Sequence, residues 1–164
     1  MKTQFKKYKK WADRFNDEII KILQEEYKTR NVKTADFQED INFCTDFVIN
    51  DNYFLSSRVR KQKYFQKYKD EITLRSKTLN GNETEIEKIF NGKGKDIFYA
   101  FSDEKEEKIF SWKILNIEVI RSYLESLFFL LKDDEKDNFD GSKFIPIKLK
   151  YINDRSLIKK ENKK

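Results

Sequence analysis

Asp46-Phe47-Val48-Ile49-Asn50-Asp51-Asn52-Tyr53-Phe54-Leu55-Ser56-Ser57-Arg58-Val59-Arg60 is the stretch whose reading decides the fold. Two runs rich in β-branched and aromatic residues flank Asn-Asp-Asn. Such residues fit a pleated, half-buried surface. Asn and Asp accept the backbone of a tight turn. The stretch therefore predicts a hairpin, with one strand over Ile41–Ile49, a turn at 50–52 and a returning strand over Tyr53–Arg60. An isolated hairpin is marginal in water, so the flanking chain must supply further strands and covering helices.

Working outward, Glu71–Lys77 alternates with period two and predicts a strand. Ile97–Phe101 and Ile109–Leu115 flank an acidic turn at Ser102–Lys108 and predict a second hairpin. Phe144–Ile152 predicts a last strand, and Pro146, the sole proline, suggests an edge position. Phe5, Tyr8, Trp11, Phe15, Ile19, Ile22 and Leu23 recur at three- and four-residue steps, predicting one helix over Gln4–Tyr27. Asn116 caps a second long helix, Ile117–Lys132. Asn82 with Glu85 resembles a capping box opening a short helix to Asn91, which Gly92 and Gly94 stop. Asn31–Asp40 reads as loop, and Lys61–Lys69 fits neither helix nor strand cleanly. The Gly92-Lys93-Gly94 run lacks phosphate-loop spacing and follows a helix rather than opening one. The expected fold is α+β: a mixed, mainly antiparallel sheet of five or six strands covered by two long helices. Residues 1–153 form one domain, and 154–164 a basic, disordered tail.

Composition narrows the chemistry. The 164 residues contain no histidine and one cysteine, Cys44. Histidine-based triads and histidine-rich zinc sites are excluded, and so is an intrachain disulfide. Any catalysis would need carboxylates, with Mg²⁺ on oxygen ligands. The longest apolar run falls far short of the ~20 residues of a membrane span. A cytoplasmic protein without a membrane partner is expected.

The net charge of +6 is unevenly spread. Eight basic residues face two acidic ones between Ser56 and Lys77, and seven face two between Lys148 and Lys164. From Ser102 to Asp140, eleven acidic residues face six basic ones. Such polarity suits phosphates at one place and a basic partner at another. The candidate contact residues are Arg58, Arg60, Lys61, Lys63, Tyr64, Lys67, Tyr68 and Arg75. Bases interleaved with aromatics suit phosphate contact with base stacking, and equally a protein interface anchored by Tyr and Arg. The competing reading makes the aromatics core and the lysines solvated surface.

Asp40-x5-Asp46-Phe, followed by Arg58-Val-Arg60-x3-Tyr64-x3-Tyr68-Lys-Asp-Glu-Ile-Thr-Leu-Arg75, resembles a family of small phage-encoded proteins with a PD-(D/E)XK nuclease-like core. The likeness extends through Thr84-Glu-x-Glu-Lys-Ile and Asp96-Ile-Phe-Tyr-Ala-Phe, covering about residues 40–120. It implies a nuclease-like fold and a mobile-element origin. Nucleases of this kind hold Mg²⁺ between an Asp on one strand and an acid on the next, with a lysine two residues on. Asp46 stands on the first arm. On the second, where the family pattern has Gln-Glu, this chain has Ser56-Ser57.

A hydroxyl is a poor substitute for a carboxylate as a Mg²⁺ ligand. The expectation is therefore a protein that binds rather than cuts and holds no cofactor. It would act in the host cytoplasm as an anti-CRISPR-type inhibitor of a defence nuclease or its guide-RNA complex. Two alternatives stand beside it: a nucleic-acid-binding module without a protein partner, and an active Mg²⁺-dependent endonuclease using Asp46, Asp40 and Glu71. Oligomeric state is not legible.

Overall fold

The computed structural model describes residues 2–43, 45–79, 81–138 and 141–162. Three strands, β1 (Val32–Thr34), β2 (Phe47–Ile49) and β3 (Tyr53–Arg60), form an antiparallel meander with Phe47 opposite Leu55. The turn holds Asn50 and Asp51 at φ +50° and +63°, a left-handed backbone that Asn and Asp tolerate best after glycine. Strand β4 (Glu71–Lys77) leaves this sheet, and the chain returns as β5 (Asp96–Ser102), parallel to β3. The acidic turn then leads to antiparallel β6 (Ile109–Asn116). Strands β7 (Lys136–Asp137) and β8 (Lys143–Lys148) join β4 in a separate three-stranded sheet. The last strand, β9 (Ile158–Glu161), pairs with β6, so the main sheet runs β1-β2-β3-β5-β6-β9.

Alternation along the strands divides the interior in two. Leu55, Phe98, Ala100 and Ile114 face Phe15, Ile19 and Leu23 on one side of the main sheet. Ile97, Tyr99, Phe101 and Leu115 face the other, where Ile72, Leu74, Ile145 and Ile147 of the second sheet meet them. There α5 (Glu85–Phe90) and α6 (Ile117–Leu131) complete the layer through Ile86, Ile89, Ile120 and Leu124. Strand β5 is buried at every residue, because both layers close over it. Among the described residues, no helix is long and apolar enough to cross a membrane.

Several expectations need correction. The single helix over 4–27 is two helices, α1 (Lys2–Asp13) and α2 (Asn16–Tyr27). They part where Phe15 turns into the core and its N–H bonds the Ala12 carbonyl. The loop at 31–40 and the strand start at 41 give way to β1 and α3 (Phe37–Phe43). Asp36 Oδ1 accepts the Glu39 N–H and Glu39 Oε2 accepts the Asp36 N–H, both at 2.8 Å. That reciprocal cap starts a helix and outweighs the β propensity of Ile41 and Phe43. Residues 62–68 form a 3₁₀ turn and the four-residue α4 (Phe65–Tyr68). The cap of α5 is Thr84 with Glu87, not Asn82 with Glu85. The last expected strand ends at Lys148 and continues as a 3₁₀ turn. Pro146 lies on the middle strand of the second sheet, not on an edge strand as expected: it sits opposite Thr73 of β4, and β7 pairs with β8 only at Lys143 and Phe144. Cys44, Asn80, Asp140 and Lys163–Lys164 lie outside the described residues, as do the side chains of Phe5, Tyr8 and Ile41.

The expected disordered tail is also overturned. Leu157 is buried, and the Trp112 N–H donates to the Asn162 side chain. Lys159 Nζ lies 2.6 Å from Asp96 Oδ1, a carboxylate with no solvent exposure. Asp96 Oδ2 accepts from the hydroxyls of Tyr27 (2.7 Å) and Tyr53 (2.5 Å). Burial, then the bond to Asp96, push both phenols upward from their ordinary range. Burial alone would lower the Lys159 ammonium, but Asp96 and Tyr53 outweigh it and raise it. This contribution is complete below the ordinary lysine pKa and fades as pH rises through the raised value. Lys159→Ala would strand a buried carboxylate, at about 1–3 kcal/mol. A melting scan at neutral pH should show a drop of several degrees, and an unchanged Tm would mean that the tail is not held by Asp96.

Candidate functional site

The site begins where β1 and β2 stop and β3 does not. The Ala35 N–H donates to the Asp46 carbonyl (2.8 Å), and the Asp46 N–H to the Leu55 carbonyl (3.0 Å). The buried Thr45 hydroxyl accepts the Leu55 N–H at 2.8 Å and lies within bonding distance of the Phe47 and Leu55 carbonyls. Beyond this point no strand among the described residues pairs with β3 on that side. The Ser57 N–H donates instead to Asp46 Oδ2 at 2.6 Å. Asp46 is thus set opposite Ser57, on the neighbouring arm of the hairpin.

Arg58, the next residue, projects from the other face. Its guanidinium donates to the Thr73 carbonyl, to Thr73 Oγ1 (3.0 Å) and to Glu85 Oε1 (2.5 Å). Glu85 Oε2 accepts the Arg75 N–H at 2.8 Å. Both oxygens of Glu85 are therefore engaged. Burial pushes its carboxyl upward, yet the Arg58 charge and the Arg75 N–H together hold it below its ordinary range. Arg60 donates to Thr73 Oγ1 at 2.7 Å and stacks on the rings of Tyr68 and Tyr99, 4.8 and 5.7 Å from their centroids. Its Nε is buried without a hydrogen-bond partner.

Arg58 divides a depression in the surface. On one side lies a groove of about 500 Å³ lined by Arg60, Tyr64, Tyr68, Arg75 and Phe144. On the other lies a recess of about 770 Å³ lined by Lys9, Asp13, Asp36, Asp40 and Asp46. A narrow hollow of about 180 Å³ joins them, walled by Asp46, Ser57, Thr73, Glu85 and Tyr99. The groove is basic and aromatic, and the recess is acidic.

The structure brings together part of the expected set. Asp40 and Asp46 share the recess, whereas Glu71 begins β4 and lines none of these three hollows. Arg58, Arg60, Tyr64, Tyr68 and Arg75 share the groove. Lys61 is drawn away to Glu106 (2.6 Å), which also accepts the Trp11 indole N–H at 2.7 Å. Lys63 and Lys67 are exposed, each about 5 Å from a tyrosine ring centroid, Tyr64 and Tyr68 respectively. Phe65 instead packs edge-on against Phe101 and Phe110. The sequence reading missed Glu85, Thr73, Asp13 and Asp36. Only Asp36 carried a local signal, the Asp-x-x-Glu cap.

Asp46 is exposed in the recess, and the partial desolvation of its carboxylate by the surrounding walls raises its pKa; the Ser57 N–H opposes the rise and the Asp40 charge adds to it. A raised carboxyl costs stability as pH climbs from the ordinary aspartate value through the raised one. Asp46→Asn keeps an acceptor for Ser57 and removes the charge. The variant should melt higher than the parent at pH ~7, with the gap closing at pH ~3 where both are neutral. A variant that melts lower at pH ~7 would contradict this balance.

Compared with known family models and with curated proteins, the chain matches none.

Proposed function

We propose that this protein acts by binding rather than by chemistry: a phage or mobile-element accessory protein that occupies a host defence nuclease complex, in the manner of an anti-CRISPR inhibitor. The observation that carries the reading is the Arg58–Glu85 pair beside Asp46 and Ser57. A nuclease-like core needs two carboxylates converging on one cation. Asp46 takes the first position, on the arm where the resemblance expects it. Opposite it stands a serine, and Glu85, across the narrow hollow, is saturated by Arg58 and the Arg75 N–H. The acid that remains beside Asp46 is Asp40, on α3 rather than on the returning strand where the resemblance expects the second carboxylate. A nuclease-like frame whose cation position is closed by its own arginine is consistent with a scaffold kept for its surfaces.

Those surfaces suit a mixed protein and nucleic-acid target. Guanidinium groups with phenols form phosphate contacts and interface anchors alike. The acidic recess alongside suits a basic protein segment. One observation favours a second reading, in which the protein binds nucleic acid alone: Lys63 and Lys67 stand exposed over the rings of Tyr64 and Tyr68, two tyrosines that line the groove with Arg75.

The test uses Lys63→Ala/Lys67→Ala/Arg75→Ala, because Arg58 and Arg60 also hold the fold together. Tagged protein in cells carrying a CRISPR effector should capture the effector complex, with at least about tenfold less captured by the triple variant, equivalent to ~1.4 kcal/mol. Binding of a short RNA with a steep salt slope, without capture of any effector, would move the protein to the second reading. Metal-dependent cleavage of nucleic acid that is lost in Asp46→Ala would overturn both.

A further inference from the structure

A strand edge facing a cavity carries the inference. Strand β3 pairs with β2 only over Tyr53–Leu55, but with β5 over Leu55–Arg60. Backbone groups of alternate residues point to opposite edges of a strand. Leu55 and Ser57 direct theirs away from β5, as their bonds to Thr45, Asp46 and the Asp46 carboxylate show. The same alternation turns the Ser57 carbonyl and both backbone groups of Val59 to that side. No strand lies there among the described residues; Ser57, Arg58 and Val59 instead form one wall of the 770 Å³ recess. The main sheet thus has a notch in its middle, where β1 and β2 stop short and β3 does not.

The walls of the notch select its occupant. Helix α1 contributes Lys9 and Asp13, and Phe37 and Asp40 of α3 close the far side. Asp13 and Asp40 have no ion-pair partner among the described residues, and Asp46 spends one oxygen on Ser57. Lys9 is the single basic side chain in the recess besides Arg58, which Glu85 already neutralises. We infer that the notch receives an extended segment bearing lysine or arginine from a partner protein, added as a strand to the β3 edge at Ser57–Arg60. Its backbone would meet the Ser57 and Val59 groups, and its basic side chains would meet Asp13, Asp40 and Asp46. A second copy of this chain fits poorly, because the edge is sunk between two helices and two such edges cannot meet. The inference deepens the binding reading by naming one partner chemistry, and its test needs no host complex.

Purified full chain is titrated with a panel of fluorescent heptapeptides alternating Lys or Arg with Val or Thr, and with a matched panel carrying Glu. Amide exchange is followed residue by residue. The Val59 N–H should exchange quickly in the protein alone and slow by at least about tenfold with the best basic peptide, while the Ser56 and Arg58 amides, paired with β5, stay slow throughout. Val59→Pro removes the donor without removing any bond the fold uses, and should abolish binding. Should that variant melt early, Asp13→Asn/Asp40→Asn supplies the second arm and should weaken the best peptide at least about fivefold.

Several outcomes would overturn the inference: equal binding of the Glu panel, full binding by a well-folded Val59→Pro, or no peptide binding at all. So would protection of Val59 that appears on raising the protein concentration alone, which means self-pairing, or on adding single-stranded RNA. If peptides fail here but an effector is still captured, this inference falls and the binding reading stands. If peptides bind but no effector is captured, the notch stands and the target is another protein.

Discussion

A partly buried arginine that places its N–H donors on acceptors from two other elements joins the parts of this molecule. Arg58 lies where the main sheet, the second sheet and α5 meet, and it holds one residue from each of the latter two: Thr73, by its carbonyl and its hydroxyl, and Glu85, by its carboxylate. The Arg58 and Glu85 side chains are 30% and 31% exposed, so the contact ties the three elements together without the full penalty of a buried ion pair. The same contact separates the basic groove from the acidic recess and occupies the acid that shares the narrow hollow with Asp46. The joining of the elements and the charge separation around the depression both pass through this one side chain.

The stability relations around the depression run in opposite directions. Glu85 is held ionised below its ordinary range, so its contribution is present above the ordinary glutamate pKa and is lost as pH falls through the lowered value. Asp46 is raised, so its charge is maintained against the fold. Such a carboxylate, beside a strand edge that no strand covers among the described residues, suits the binding role proposed above. Arg60 adds a second such feature: a cation between two phenol rings with one donor left without an acceptor.

What could be read from sequence was local. The Asn50-Asp51-Asn52 turn, the hairpin strand Tyr53–Arg60, the second hairpin and the helix after Asn116 all carry their signals within a few residues. What escaped depended on distant partners. Ile158–Glu161 looks like a solvated tail until β6 offers an edge and Asp96 a buried charge. The break at Phe15 interrupts an apolar spacing that continues unchanged through it. At the site, Asp46 and Arg58 were visible as residue types. Their roles were not, because the Arg58 partners lie 15 and 27 residues away. A basic run that suggests phosphate contact proves to divide its labour: Arg58 and Lys61 build the fold, while Lys63, Lys67 and Arg75 remain at the surface.

The closure of the cation position by Arg58 is the claim on which the binding account stands, and crystallography in manganese addresses it directly. Crystals grown with millimolar Mn²⁺ and measured at the manganese edge should show no anomalous peak beside Asp46, with Arg58 still bonded to Glu85. A peak bridging Asp46 and Glu85, with the Arg58 side chain swung away, would contradict the account.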